Sequence, residues 1–417
     1  MATNIKAFKG ICYNQDLIQD LSSVVCPPYD VINDEERDFY YNKSPYNFIH
    51  LILNKPQEND NDSSNMYTRA TLLFNEWIKN SILNQDEKES LYFYRQDFLY
   101  KNKELTRLGF IGLMEIASST KVFPHENTRH EPKVDRFQLL KNVKANLSPI
   151  FTIFSDRKKF IERIFLKNFS NRKPDIALKD DNGVRHSIWR LSDPEAIDSV
   201  RKGISKKNIL IADGHHRFEV ARMYMELMQK NDRNYSPNKS YNYLLTYFTT
   251  LESDGICIFP THRVIKKQIS KELIEKYFKI KKVNSIFDLE EKLANISKNY
   301  CYGFYDKNDC MLFELKDKKE AIKNVEPIFK SLDVAILDYY ILSKIFDVKR
   351  DQVFYTNNLG QAKDSVDNRD YQSIFIMRPT KINQVKDVAL CGERMPPKST
   401  YFYPKLASGL VVHKFED

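Results

Sequence analysis

The sequence predicts an α+β fold. Residues 91–117 alternate aromatic and β-branched residues with polar ones, as strands do. Residues 67–80 place apolar side chains at helical spacing. Residues 208–230 pass from an apolar strand through a glycine into a helical pattern. At roughly 100–200 residues per domain, a chain of 417 residues predicts two or three packed units.

Composition excludes several classes of protein. Hydrophobic residues make up 42% and charged residues 29%, which is ordinary globular usage and excludes a largely disordered chain. The formal net charge of +9 comes from lysines spread along the chain, whereas nucleic-acid binders concentrate basic charge on one element. We therefore expect a lysine-rich surface whose mild positive field favours anionic substrates.

The cysteines and the apolar segments indicate the compartment. The six cysteines form no CxxC pair, which argues against a zinc ribbon or a thioredoxin-type site and favours reduced thiols. The N-terminus lacks an apolar signal region, and no stretch approaches the roughly 18 apolar residues of a membrane span. We expect a cytoplasmic protein.

The first half of the chain is predicted to form a loop, two helices and a hairpin. The prolines of Cys26-Pro27-Pro28-Tyr29-Asp30 predict an extended loop. A helix is predicted to start at Asn33, with acids in its first turn, and another covers 67–80. The hairpin of 91–117 is expected to turn at 101–103.

The rest of the chain alternates between helices and strands. A helix over 134–146 precedes a strand over 150–154, and a strand ending at Ala212 precedes a helix over 217–230. Residues 243–251 and 256–259 are predicted to be strands of one sheet. The remaining predictions are a helix over 332–346, a strand over 374–377 and a tyrosine-rich strand after Thr400.

The strongest local signal is Asp213-Gly214-His215-His216-Arg217, where a strand meets a helix. A helix N-terminus binds anions through its backbone N–H groups and partial positive charge. Gly214 lets the backbone approach a phosphate closely, and Arg217 can donate two parallel hydrogen bonds beside His215 and His216. Because cations there oppose the helix dipole, we expect an anion to compensate them.

Two other interpretations of this run stay open. Asp213 can be an ordinary helix N-cap followed by two incidental histidines. Asp213 with one histidine can also join metal ligands from elsewhere in the chain. Adjacent histidines do not bind one ion as i, i+4 pairs on a helix do, so we assign no protein metal site. A Mg²⁺ ion held through substrate phosphates needs few protein ligands.

Four further clusters are candidates. Residues 124–136 are dense in titratable groups, and they are either a solvated loop or a second set of phosphate ligands with a proton-transfer group. Prolines before Asp30 present its carboxylate rigidly, for a turn or for accepting a hydroxyl proton. Lys398, Ser399 and Thr400 can hold an anion, and Thr261-His262-Arg263 is a weaker candidate.

Eight fragments of the sequence, in this order, carry a resemblance to a known family: CPPYDVI, YNFIHLIL, PHENT, KVDRF, NLSPIF, ADGHHRFEVA, PTHRVI and GERMPPKSTYFYPKLASGLV. With them the chain resembles the domain of unknown function 1015 family over nearly its whole length. The DGHHR loop is also similar to that of the ParB/sulfiredoxin superfamily, which includes partition proteins, sulfiredoxin and free serine kinases. The loop is most similar to that of the ADP-dependent free serine kinase. His215 after Gly214 leaves no counterpart for the catalytic cysteine of sulfiredoxin.

This resemblance implies a ParB/sulfiredoxin-like phosphate-binding core with large mixed α/β insertions. Residues 1–50 would supply the N-terminal strand and loop of the core, 51–200 an inserted α/β region, 201–265 the DGHHR core and 266–417 a C-terminal α+β region. It further implies that residues 213–217 bind phosphates and that an acidic residue near the N-terminus is the catalytic base, for which Asp30 is the candidate.

We predict a small-molecule phosphotransferase, either a nucleotide-dependent serine kinase or the reverse phosphoserine-to-serine reaction, with ADP or ATP and Mg²⁺ as cofactors. The candidate catalytic residues are Asp30, Glu126, Asp213 and His216. The candidates for binding phosphate or nucleotide are Gly214, His215, His216, Arg217, His125, Thr128, Arg136, Lys398 and Ser399.

The alternatives are a phosphoserine phosphatase, which needs no ADP, and a non-catalytic nucleotide- or nucleic-acid-binding module. The lack of a helix-turn-helix signature argues against nucleic acid. The expected partners are serine or phosphoserine and a nucleotide, with no membrane, and a homodimer stays open.

Overall fold

The computed structural model describes residues 3–117, 121–128, 130–323 and 325–416. The chain divides into two compact units. The first unit comprises Met1–Phe123, Thr128–Ile256 and Pro404–Asp417, and the second comprises Pro124–Asn127 and Cys257–Tyr403. The four-part division expected from the sequence stays a prediction.

Strands and helices are numbered here in chain order. The strands are β1 (Ile5–Lys6), β2 (Ile11–Tyr13), β3 (Leu83–Gln85), β4 (Leu91–Tyr100), β5 (Lys103–Glu115), β6 (Val122–Phe123), β7 (Ala145–Asn146), β8 (Ile150–Phe154), β9 (Ile176–Lys179), β10 (Arg185–Leu191), β11 (Ile209–Asp213), β12 (Tyr243–Thr250), β13 (Cys257–Phe259), β14 (His262–Ile265), β15 (Phe278–Val283), β16 (Cys301–Asp306), β17 (Cys310–Leu315), β18 (Val353–Thr356), β19 (Ser373–Ile376), β20 (Tyr401–Tyr403) and β21 (His413–Lys414). The α-helices are α1 (Asp34–Lys43), α2 (Ile49–Ile52), α3 (Met66–Lys79), α4 (His130–Val143), α5 (Phe160–Phe169), α6 (Pro194–Ile204), α7 (His215–Asn231), α8 (Lys271–Tyr277), α9 (Ile286–Ala294), α10 (Lys318–Ile322), α11 (Asp333–Ala335), α12 (Leu359–Asp367) and α13 (Ile382–Leu390).

The first unit is built on a nine-stranded sheet. Its strand order is β6-β11-β8-β12-β5-β4-β10-β9, with β1 paired to β5. β6 runs parallel to β11 and β8 runs parallel to β12, while the other pairs are antiparallel. Apolar side chains of α5, α6 and α7, among them Phe165, Val200 and Phe218, pack against sheet residues such as Phe93 and Phe248 in one core. The predicted mixed α+β architecture is confirmed.

The β4–β5 hairpin forms where the alternation predicts it. Tyr100 pairs with Lys103 across a two-residue turn. Lys101 and Asn102 both have positive φ, at 49° and 61°, which suits the right-handed twist of the two strands. The pairing places Gln96 opposite Arg107, and both side chains are fully buried.

Most predicted helices form, with small shifts at their ends. Asn33 caps α1 in a capping box with Glu36, as its position before three acids indicates. α4 begins at His130, four residues before the predicted start, because Pro132 is tolerated in a first helical turn. The predicted helix over 332–346 is a short α11 that continues as a π-helix, Ile336–Ile345.

The second unit contains a six-stranded antiparallel sheet in the order β15-β17-β16-β19-β14-β18. Its core includes Leu289 of α9 and Ala362 of α12 against Ile374 of β19. The prediction that residues 243–251 and 256–259 share one sheet is wrong. β12 lies in the nine-stranded sheet, whereas β13 pairs with β20, a partner about 145 residues away that local pattern cannot reveal.

No helix within the described ranges is both long enough and apolar enough to cross a bilayer.

Candidate functional site

The DGHHR run forms a tight turn between β11 and α7. Gly214 is the residue before α7 and has φ +91° and ψ 28°. A Cβ at this position would lie 2.9 Å from Ile150 Cγ2 and 3.1 Å from Arg217 Nη2. Only glycine combines this φ with so close an approach. Gly214 is half-buried, so the turn does not lie inside a closed core.

Arg217 spans this turn. Its Nη2 donates to Asp213 Oδ2 at 3.0 Å, and its Nη1 donates to the Pro149 carbonyl at 2.5 Å. Its Nε is buried and has no hydrogen-bond partner among the residues that the structure describes. Because a buried unpaired donor is costly, this N–H marks a place where a bound acceptor would be stabilised.

Asp213 lies between two cations. Lys405 Nζ donates to Asp213 Oδ1 at 2.5 Å, so each carboxylate oxygen has a charged partner. Burial alone would raise the pKa of Asp213, but Lys405 and Arg217 outweigh it and hold the pKa well below its usual value of 3.8. The alternative in which Asp213 caps the helix is wrong, since Gly214 is the N-cap and no side chain caps it.

A small open pocket lies beside the first turns of α7. Arg217 and Arg136 supply its two guanidinium groups, and Leu139, Leu147 and Val220 are among its apolar walls. Its other lining residues are Tyr29, Ile52, Leu140, Ala145, Asn146, Ser148 and Leu244. Mostly apolar walls with a few placed polar groups are typical of small-molecule sites.

Tyr29 and Arg136 stack on one side of this pocket. The Arg136 guanidinium carbon lies 4.1 Å from the Tyr29 ring centre. Arg136 Nη1 donates to the Ile52 carbonyl at 2.6 Å, and its Nε donates to Asp135 Oδ2 at 2.7 Å. Burial and then neighbouring Asp30 raise the pKa of Tyr29, so its phenol stays protonated.

Asp30 is the next residue after Tyr29 in the sequence. Asp30 is exposed and lies in a 3₁₀ turn over Tyr29–Val31. The position is open to solvent and adjacent in sequence to a pocket-lining tyrosine. The role of Asp30 as catalytic base stays a prediction.

The two histidines lie in α7, and Thr128 contacts this helix from outside it. His215 is buried and His216 is half-buried, both in the first turn of α7. Thr128 Oγ1 donates to Glu219 Oε2 at 2.6 Å, and Lys133 Nζ donates to the same oxygen at 3.3 Å. Thr128 is therefore tied to α7 through Glu219.

The remaining candidates lie in the second unit. There the 124–127 segment and the 394–400 segment come together: the Met395 N–H donates to the His125 carbonyl at 2.7 Å, and Glu126 bridges Met395. His125 is buried, with Nε2 3.0 Å from Thr400 Oγ1. Ser399 Oγ donates to the Pro396 carbonyl at 2.7 Å, which fixes its own loop. Lys398 has φ +60°.

The weaker Thr261-His262-Arg263 candidate has structural partners. Arg263 is fully buried and donates from Nε and Nη2 to the two oxygens of Asp338, at 3.0 and 2.9 Å. The Met377 N–H donates to His262 Nδ1 at 3.2 Å. Burial, helped by Arg263, lowers the pKa of His262 to about 4.

Cys26 does not supply a thiolate, and the described residues form no metal-ligand cluster. Burial raises the pKa of the Cys26 thiol, so it is not a thiolate nucleophile. Within the part of the chain that the structure describes, no group of three or more His, Cys, Asp and Glu side chains is arranged to hold a metal ion.

The first unit brings together Asp213, Gly214, Arg217 and Arg136, around one turn and its pocket. Sequence reasoning missed Tyr29 and Lys405 as parts of this site. Both lie in motifs that the sequence analysis identified, CPPYD and STYFYPK. The motifs were recognised, but their contacts with Arg136 and Asp213 were not.

The sequence profile of a family of proteins of unknown function, DUF1015, matches residues 5–335. The chain belongs to this family. The predicted family is thus confirmed.

Solved structures with a similar arrangement are more distant from this DUF1015 member. A conserved hypothetical protein from Pyrococcus furiosus is 13% identical, with 70% of this chain and 91% of that chain covered and a TM-score of 0.35. A free serine kinase mutant in complex with ADP is 12% identical, with 70% and 86% covered and a TM-score of 0.36. A truncated SbnI from Staphylococcus aureus is 8% identical, with 72% and 86% covered and a TM-score of 0.37. A search of curated proteins found no match.

Proposed function

We propose that this chain is a phosphotransferase that binds the phosphoryl group of a small molecule at the Gly214 turn. One observation carries the proposal: Arg217 lines an open pocket, and within the described part of the chain its buried Nε–H has no partner, while Nη1 and Nη2 donate to the Pro149 carbonyl and to Asp213. A phosphate oxygen bound in the pocket would accept from Nε and remove the cost of that unpaired donor.

The surrounding groups support an anionic ligand. The first turn of α7 presents backbone N–H groups and the positive end of the helix dipole. Arg136 adds a second guanidinium to the pocket wall, held by Asp135 and by the Ile52 carbonyl. We also propose that β8, β11 and α7 belong to a ParB/sulfiredoxin-like core, within the four-part division expected from the sequence.

For the reaction we propose transfer between a nucleotide, ADP or ATP, and serine, in either direction. In the kinase direction the serine hydroxyl oxygen bonds to phosphorus as the bond from phosphorus to the nucleotide's leaving oxygen breaks. The hydroxyl proton passes to Asp30, with His216 as the next candidate. Arg217, His215 and His216 neutralise the charge on the transferred phosphoryl group. A Mg²⁺ ion bound through the phosphates would withdraw charge from them.

The test is a turnover assay on the purified full-length chain with Mg²⁺. Serine is offered with ADP or with ATP, and phosphoserine is offered with ADP, with AMP and alone. We expect phosphoserine formation from serine, or serine formation from phosphoserine that requires the nucleotide. Serine release from phosphoserine alone would favour a phosphatase. No turnover in any mixture, with no binding of ADP or inorganic pyrophosphate, would overturn the proposal.

A further inference from the structure

Lys405 reaches the Gly214 turn from the last segment of the chain. Its side chain is 12% exposed, and its Nζ donates to Asp213 Oδ1 at 2.5 Å. The partner carboxylate is 15% exposed, and Arg217, which is 14% exposed, holds its other oxygen. The three groups form a largely buried Lys–Asp–Arg cluster at the turn where the phosphate is proposed to bind.

Side chains of the β4–β5 hairpin hold the backbone around Lys405 through hydrogen bonds. Gln96 Nε2 donates to the Lys405 carbonyl at 2.9 Å, and the buried Arg107 donates to the Pro404 carbonyl. Gln96 and Arg107 face each other across the β4–β5 ladder and are hydrogen-bonded to each other. Further along, the Ser408 N–H donates to the Cys26 carbonyl at 2.8 Å. The backbone that carries Lys405 is therefore held against the β4–β5 hairpin.

The positive charge of Lys405 compensates the negative charge of Asp213. A carboxylate beside a phosphate site repels the phosphate, and burial strengthens that repulsion. With Arg217 as its only cationic partner, Asp213 would cancel the charge that Arg217 offers to a ligand. Lys405 supplies a second positive charge, so the cluster carries a net charge of one plus, from two cations and one anion.

We infer that Lys405 is a positioning residue of the phosphate site, which neutralises Asp213 and so leaves the Arg217 guanidinium available to the ligand. This inference rests on the proposed function. It also assigns Asp213 the role of anchoring Arg217, in place of a role as catalytic acid or base.

The test compares the affinity of full-length variants for inorganic pyrophosphate, measured by calorimetry at constant ionic strength. Lys405→Met leaves Asp213 with one cation, and we expect its affinity to fall at least about tenfold, the scale of one lost charged partner. Lys405→Gln keeps a hydrogen-bond donor and removes the charge, so we expect it to fold normally and to bind as weakly. Lys405→Arg should retain affinity within about threefold. Lys414→Met, on the same segment, is the matched control and should bind as the wild type does.

A double variant separates a positioning role from direct ligand contact. In Asp213→Asn with Lys405→Met, the asparagine oxygen can still accept from Arg217 Nη2 while the uncompensated charge is gone, so we expect most of the affinity lost in Lys405→Met to return. Wild-type affinity in both Lys405→Met and Lys405→Gln would overturn the inference and leave the proposed function standing. A double variant no better than Lys405→Met would also overturn it, because Lys405 would then act on the ligand directly. A wild-type chain that binds no pyrophosphate would remove the proposed function and this inference together.

Discussion

Arg217 donates to Asp213 at 3.0 Å, four residues back across the Gly214 turn. The same guanidinium holds the Pro149 carbonyl immediately before β8. One side chain thereby locks the end of β11, the start of β8 and the first turn of α7 into one geometry. The conformation of the turn and the position of its cation are thus a single structural feature, and substitutions at either residue should affect both.

Arg217→Ala should abolish phosphoryl transfer while leaving the chain folded. The lost hydrogen bonds to Asp213 and to the Pro149 carbonyl should lower the free energy of unfolding by about 1–3 kcal/mol. Arg222→Ala is the matched control, since Arg222 lies on the same helix, is 54% exposed and makes a surface pair with Glu226. Turnover and denaturant unfolding of both variants check this; normal turnover by Arg217→Ala would remove the loop from the mechanism.

Gly214→Ala should weaken pyrophosphate binding and destabilise the chain by about 1–3 kcal/mol, because alanine is strained at φ +91° and its Cβ would press on Ile150. Gly183→Ala separates strain from contact. Gly183 has φ +78°, but a Cβ there would meet nothing closer than Lys179 Cε at 3.7 Å. Gly183→Ala should therefore lower stability through backbone strain alone and leave pyrophosphate binding unchanged. Equal losses of binding in the two variants would contradict the close approach proposed at the turn.

Asp30→Asn should reduce the turnover rate by about 100-fold or more, the scale of a lost general base, while nucleotide binding persists. The substitution keeps the shape of the side chain and removes its ability to accept a proton. Asp34→Asn is the control, because Asp34 is an exposed acid four residues further on, in the first turn of α1. If the Asp30→Asn rate equals that of the wild type, the base lies elsewhere and His216→Asn is the next variant.

The elements that local pattern determines were predictable. The β4–β5 hairpin follows from its alternation and its Lys101-Asn102 turn, and α1 follows from Asn33 before three acids. The start of α7 was predicted two residues late because Gly214 caps it through backbone conformation, with no side-chain cap to recognise. Lys405 was missed as a site residue because 192 residues separate it from Asp213. Such pairs form only when the sheet and the last segment have both folded.

The buried imidazole of His262 should make the chain less stable in acid. Burial lowers the pKa of His262 from 6.5 to about 4, so the folded state resists a proton that the unfolded state accepts. The stabilisation is complete above pH about 6.5 and is lost as the pH falls towards 4, by roughly 1–3 kcal/mol.

His262→Asn provides the check on this acid sensitivity. Asparagine can still accept a hydrogen bond from the Met377 N–H, but it does not titrate. Urea unfolding at pH 7.5 and pH 5 should show a smaller loss of stability in this variant than in the wild type. His413, whose pKa burial also lowers to about 4, keeps its own contribution in both proteins. Equal losses in the two proteins would exclude His262 as a source of the acid sensitivity.

A crystal structure of the full chain grown with ADP or phosphoserine and Mg²⁺ would show directly whether a phosphate binds beside Arg217. We expect a phosphate group in the pocket beside α7, with one oxygen within about 3 Å of Arg217 Nε and within reach of the first-turn amides. Asp213 should remain between Arg217 and Lys405. A ligand phosphate bound elsewhere, with Arg217 Nε still facing no acceptor, would contradict the proposed phosphate site at the Gly214 turn.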